Sequence, residues 1–153
     1  MERAVGEQTA DYLERKLFVP LEIPRPPMQL CPKGHFYGAT GMELTAHELG
    51  MLGQLYLDQG VWNRKRILSE MWSREAVRRQ VSNREGGYGY FFWVRPDGGF
   101  TIRGKWGQRC YVFPEAHTVV SWVSHLPEEE RCRRQEKLFT EAAMQEGLLP
   151  GED

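Results

Sequence analysis

"GYGYFFWVRPDGGFTIRGKWGQRCYVFPE", residues 87–115, decides how this chain folds. Within it, "YGYFFWVRP" (88–96), "FTIRG" (100–104) and "QRCYVFP" (108–114) are rich in aromatic and β-branched residues. The Pro-Asp-Gly-Gly step between the first two runs is turn chemistry. With "TVVSWVSHL" at 118–126 these runs predict a meander of antiparallel strands. Alternation sends Tyr88, Tyr90 and Phe92 to one side and Phe91 and Trp93 to the other, while Val119, Val120, Trp122 and Val123 are likewise apolar on both. A sheet apolar on both faces needs cover on both. One segment breaks the alternation: Gly104-Lys105-Trp106-Gly107-Gln108. Glycine inside a strand pattern marks a bulge, or a place where a ligand or another backbone comes close.

Upstream of Gly86-Gly87 the pattern is helical. Thr9 is placed to cap a short helix to about Phe18, with Leu13 and Leu17 facing a core and Pro20 ending it. "PLEIPRPPMQLCPKG", residues 20–34, carries five prolines and reads as an ordered connector lying against the body. Thr45 and Glu48 form a T-x-x-E capping box, with Leu44 as a staple onto Leu49. That helix is expected to run to about Asp58, with Leu49, Leu52 and Tyr56 on one face and Gly60 as its left-handed terminator. A second helix is expected from the Ser69 cap to about Gln80, with Met71, Trp72 and Ala76 inward and Arg74, Arg78 and Arg79 outward. Downstream, Pro127 opens a final helix, Glu128-Glu129-Glu130 suit the positive end of its dipole, and Cys132, Leu138, Phe139, Ala142 and Ala143 form its apolar stripe.

The expected fold is therefore α+β: an antiparallel sheet of three to four strands, a C-terminal helix packed on it, and a small helical subdomain beside it. Residues 8–80 make the helical part, 86–125 the strands and 127–146 the last helix, within one partial domain spanning 1–153. A formal net charge of −1 gives no field to attract nucleic acid or an anionic membrane, so neither partner is expected. No run approaches the roughly 18 apolar residues of a membrane span, and no signal-like segment opens the chain. Cys31, Cys110 and Cys132 are far apart, which suits a reducing, cytoplasmic setting. The histidines at 35, 47, 117 and 125 lack metal-ligand spacing, so no metal or other cofactor is expected.

Several separated stretches together resemble one family. "GATGMELTAHELGMLGQLYLDQGVWNRKRILSEMW" (38–72) is similar to the "GQLYL..GVW.GKRILSEEW" block of β-lactamase-related serine hydrolases. That superfamily includes class C β-lactamases, D-alanyl-D-alanine carboxypeptidases, β-lactamase-like esterases and nylon-oligomer hydrolases. The 87–115 stretch resembles its "GYGYGWW…G.GGQ.iyVvPe" strands, and "TADYLERKLFVPLEIP" (9–24) its "l.dyl.erlf.PLGI". The resemblance implies half of an α/β/α sandwich and a role in amide or ester acyl transfer. Lys105-Trp106-Gly107 matches the Lys-Thr-Gly, His-x-Gly or Trp-x-Gly triplet on the family's active-site wall. Gln108 then supplies a candidate oxyanion N–H, and Gly104 and Gly107 let a small amide or ester ligand approach the backbone. Trp106 in place of Thr or Ser leans away from antibiotic recognition.

The family's nucleophile motif is missing. Ser69, Ser73, Ser82, Ser121 and Ser124 are followed three residues on by Trp72, Ala76, Glu85, Ser124 and Pro127, so no S-x-x-K occurs. No tyrosine has Asn two residues on, so Tyr-x-Asn is also missing. Both motifs lie N-terminal to the matched region in the family, which implies a C-terminal portion inactive alone. The competing reading is a non-catalytic binding or assembly module that keeps the cleft wall. The expected partner is a second copy, in a homo-oligomer, or the missing N-terminal half. Other side chains have plain readings. Arg74, Arg78, Arg79 and Arg84 beside Glu70, Glu75 and Glu85 are a solvated face, Cys132 an inert thiol, and His47 and His117 surface residues. Cys110, on a strand with no base at hand, is the one conceivable substitute nucleophile.

Overall fold

The structure, a computed structural model, describes residues 2–38, 40–84 and 86–149. The chain begins with α1 (Glu2–Val5) and α2 (Thr9–Leu13), the latter continuing as a π-helical turn, Glu14–Phe18. Thr9 is not a cap. Gln8 holds that position, and the Thr9 backbone N–H and hydroxyl both donate to Glu2 Oε1, so the carboxylate from the preceding helix does the capping. The proline-rich connector does lie against the body, with Leu21 and Ile23 buried beside Phe18 and Leu55.

Next comes α3 (Ala46–Leu57), which starts at the expected box: Glu48 N–H donates to Thr45 Oγ1, and Thr45 N–H donates to Glu48 Oε2 at 2.7 Å. A tight hairpin of β1 (Val61–Trp62) and β2 (Lys65–Arg66) leads to α4 (Glu70–Val77), whose Ser69 cap accepts from Trp72 N–H. On α4, Ser73 and Ala76 are buried, whereas Trp72 is 44% and Met71 80% exposed. The expected inward face was therefore misplaced by one position at Trp72, because a short helix docking on a crowded seam admits a serine where an indole does not fit.

The sheet has six strands in sequence order: β3 (Val81–Asn83), β4 (Gly86–Tyr88), β5 (Trp93–Val94), β6 (Phe100–Arg103), β7 (Arg109–Phe113) and β8 (Thr118–Trp122). All neighbours are antiparallel. The α+β class and the meander hold, with more strands than the three to four expected, because "YGYFFWVRP" is not one strand. Phe91 has φ +68° and is 71% exposed, so the chain turns between β4 and β5, and its alternation with Trp93 does not apply.

Two layers cover the sheet. β7 is buried along its whole length. Cys110 and Val112 face α3, while Tyr111 and Phe113 face α5 (Glu129–Gln145), where Phe139 sits 4.5 Å from the Tyr111 ring. Thus α3 lies on the sheet, not beside it. A Cβ on Gly53 would come within 2.5 Å of Cys110 Sγ and 3.0 Å of Val119, so only glycine lets helix and sheet approach this closely. The opposite side of α3 carries Met51, Leu52 and Leu55 into a second core with Phe18, Leu21 and Ile23. Leu52 therefore does not share a face with Leu49 and Tyr56, which pack into the sheet core. Pro127 precedes the α5 cap Glu128 instead of opening the helix, and Leu138 is 58% exposed, outside the stripe. Among the described residues, no helix is long and apolar enough to cross a membrane.

Candidate functional site

The interrupting segment is the hairpin connection between β6 and β7. Arg103 pairs with Arg109, and Gly104 N–H donates to Gln108 O at 2.9 Å. Lys105–Gly107 form a single 3₁₀ turn in which Trp106 takes φ +68° and Gly107 φ +93°. A non-glycine residue there is strained by about 1 kcal/mol or more, and the surroundings hold it in place. Trp106 C=O accepts from Leu126 N–H and from Ser124 Oγ, both at 3.0 Å. Its ring lies edge-on to His125 with centroids 4.5 Å apart, and Lys105 Nζ sits 5.2 Å from the ring centroid. The indole is nevertheless 40% exposed. Gly107 is both left-handed and crowded: a Cβ would fall 2.6 Å from Ser124 Oγ.

The next residue carries the chemistry of interest. In an ordinary hairpin Gln108 N–H would return a bond to Gly104 C=O. Here that carbonyl accepts from Arg109 Nη1 at 3.0 Å, while the 3₁₀ turn directs Gln108 N–H back toward Lys105 C=O. The result is a strained turn flanked by an exposed indole and an ammonium group.

Arg109 links this turn to α5. Besides Gly104 O it donates to Gln108 O at 2.9 Å and, through Nε, to Glu136 Oε1 at 2.8 Å; Tyr111 Oη donates to the same oxygen at 3.0 Å. Burial works to raise the Glu136 pKa, but the Arg109 hydrogen bond and charge, with the Tyr111 hydroxyl, outweigh it and hold the carboxyl below its ordinary value. Burial, reinforced by that carboxylate, pushes the Tyr111 phenol up to about 12. This buried network was missed in the sequence. The signal was an arginine on the same strand face as Tyr111 and Phe113, which requires an acidic partner at the matching height on the covering helix.

The remaining candidates sit as follows. Burial pushes the Cys110 thiol up to about 12, so a thiolate is not populated near neutral pH. Cys132 Sγ donates to Leu126 O at 3.2 Å, just below the Gly107 turn. Arg74 pairs with Glu70 and Arg78 with Glu75 on the exposed side of α4, as a solvated face should; Glu85 lies outside the described residues. His47 is exposed in the first turn of α3, and His117 is exposed at φ +46° with Nε2 3.5 Å from Asp58 Oδ1. Two open hollows, of about 620 and 580 Å³, lie elsewhere, one between Asp58, Asn63, Arg64 and His117 and one between Asp97, Phe113 and Leu148. Residues 104–108 line neither. No three His, Cys, Asp or Glu side chains converge as a metal site among the described residues.

No protein-family model matches the sequence, and no curated protein does. Among solved structures, a Bacillus anthracis protein provisionally described as a 6-aminohexanoate-dimer hydrolase is similar, with a TM-score of 0.74 and 19% sequence identity. The match takes in 98% of this chain and 42% of the other, so this chain spans well under half the length of that protein. At that identity the likeness establishes the fold alone: the chain has the architecture of part of that protein.

Proposed function

We propose that this chain is the C-terminal part of a β-lactamase-related serine hydrolase, carrying one wall of an acyl-transfer site for an amide or ester. Residues 104–108 form that wall, with Gln108 N–H as the oxyanion donor and Trp106 and Lys105 as the surface that receives substrate. The single observation that carries the reading is the strained turn at the position of the family's triplet, where Trp106 takes φ +68° and keeps its indole exposed. A preorganised donor is worth most where negative charge develops in the transition state. It cannot replace a nucleophile, and no serine here has the lysine that would activate it. The chain alone is therefore inactive, and turnover requires a polypeptide that supplies S-x-x-K. Its three free cysteines suit a cytoplasmic setting.

The test is an amide-resolved NMR titration with the linear 6-aminohexanoate dimer and with a p-nitrophenyl ester, alongside an assay of turnover. The reading expects shifts concentrated at residues 104–108, led by Gln108 N–H, with no hydrolysis above background. Shifts confined to the hollow around His117, or none anywhere, would remove the wall assignment.

A further inference from the structure

We propose that Glu136 of α5 is a positioning residue for the 104–108 turn, closing the base of its hairpin from beneath without itself meeting substrate. The inference rests on the reading of that turn as an acyl-transfer wall, and it uses only contacts made inside this chain. The hairpin leaves the sheet at Arg103 and Arg109, which are register partners on β6 and β7. Residues directly opposite on antiparallel strands share one face, and like charges placed there repel. Two guanidinium groups at the neck of a turn therefore push its strands apart unless something holds them.

Glu136 answers that repulsion. Its Oε1 lies 2.8 Å from Arg109 Nε and 4.0 Å from Arg103 Nε, so one carboxylate spans the pair. Both arginine side chains are largely buried, where an uncompensated charge is costly. Arg103 also lies over the Trp93 ring, 4.9 Å from its centroid. Arg109 then carries the effect into the turn. A guanidinium is a rigid fork of donors, so with Nε on Glu136 its Nη1 reaches Gly104 O at 3.0 Å and Gln108 O at 2.9 Å, the carbonyls at the two ends of the turn. Fixing the fork at Glu136 fixes the spacing of those ends. Between them Trp106 keeps φ +68°, a conformation that persists only where the surroundings over-determine it. Tyr111 Oη donates to the same carboxylate oxygen from farther along β7, which supplies a control for a merely structural role.

NMR of the full chain tests this through two signals. One is the strong intraresidue nuclear Overhauser cross-peak between N–H and Hα of Trp106, which a positive φ produces. The other is the shift of the Gln108 amide on adding the linear 6-aminohexanoate dimer. Arg109→Lys keeps a charge beside Glu136 but gives up the fork, and Glu136→Ala removes the carboxylate altogether. Each should weaken the Trp106 cross-peak severalfold and cut the Gln108 shift severalfold. Should Glu136→Ala lose native circular dichroism, Glu136→Gln, which keeps the shape and drops the charge, should move both signals in the same direction. Tyr111→Phe, which removes the other hydrogen bond to the carboxylate, should leave both signals as they are. A Trp106 cross-peak that survives Arg109→Lys and the Glu136 variant overturns the proposal, as does an equal loss in Tyr111→Phe. A wild type with the cross-peak but no Gln108 shift overturns the wall reading instead, and the cross-peak alone then decides whether Glu136 sets the turn.

Discussion

The two faces of β7 are equally buried and are held by different physics. Toward α3 the contact is dry and tight: Gly53 brings the helix onto Cys110, Val112 and Val119 with no room for a methyl group. Toward α5 it combines an aromatic cluster, Tyr111, Phe113, Trp122 and Phe139, with a carboxylate that accepts from Arg109 and Tyr111. The α3 face tolerates no added volume, and the α5 face no lost partner. Only the α5 face connects to the candidate site, because the guanidinium that reaches Glu136 also holds Gly104 C=O. The difference suggests how the fold separates duties, with one face fixing the helix and the other shaping the turn.

The largest expected effect probes the dry face. Gly53→Leu should destabilise by about 3 kcal/mol, the upper end for overpacking a filled core. Gly53→Ala should cost about 1 kcal/mol or more, and Cys110→Ala made in the same chain should cost less than it does alone, since it removes the clashing sulfur. Strict additivity in urea melts would break the assignment of that seam.

On the α5 face, Glu136→Gln should cost about 2 kcal/mol, less than the roughly 3–5 typical of a fully buried pair because the Glu136 side chain is 24% exposed. The sign with pH follows from the lowered carboxyl pKa. Stability from Glu136 is fully present above its unfolded value near 4.5 and is lost as pH falls through the lower folded value. The gap between wild type and Glu136→Gln in urea midpoints should therefore shrink in acid. A pH-independent gap would assign the effect to packing alone.

The helix starts sharpen the contrast further. On the α3 side Thr45 makes a full capping box, and Thr45→Ala should cost about 1 kcal/mol, with Ser69→Ala similar at α4. On the α5 side Glu128 makes no side-chain cap bond, so Glu128→Ser should stabilise by about 0.5 kcal/mol, the smallest change of the set. Equal destabilisation by all three would mean that caps do not distinguish the two helices.

These cases also show what was legible in the sequence. The Thr45–Glu48 box and the Ser69 cap were, because a cap is decided within four residues. So was the interruption at 104–108, since a pair of glycines breaks a strand pattern whatever surrounds it. The placement of α3 was not: Gly50 and Gly53 look unremarkable inside a helix until a strand is known to press on them. Trp72 and Leu138 were assigned inward on periodicity, which fixes an apolar face only to within one residue when the partner surface is unknown. The two-residue β5 and three-residue β4 are too short for alternation to declare, and the left-handed Phe91 between them carries no glycine to announce the turn. Gln108 N–H was visible as a candidate only through the family's triplet. The hold of Arg109 on Gly104 C=O depends on a guanidinium path that no local pattern encodes.

The central claim is that an acyl-transfer wall is present here without a nucleophile. Intact-mass spectrometry after incubation with a fluorophosphonate and with a fluorescent penicillin tests it most directly. The account predicts an unmodified chain with both probes. An adduct on any serine would contradict it outright, and an adduct on Cys110 would mean that a thiol pushed up to about 12 by burial is activated after all.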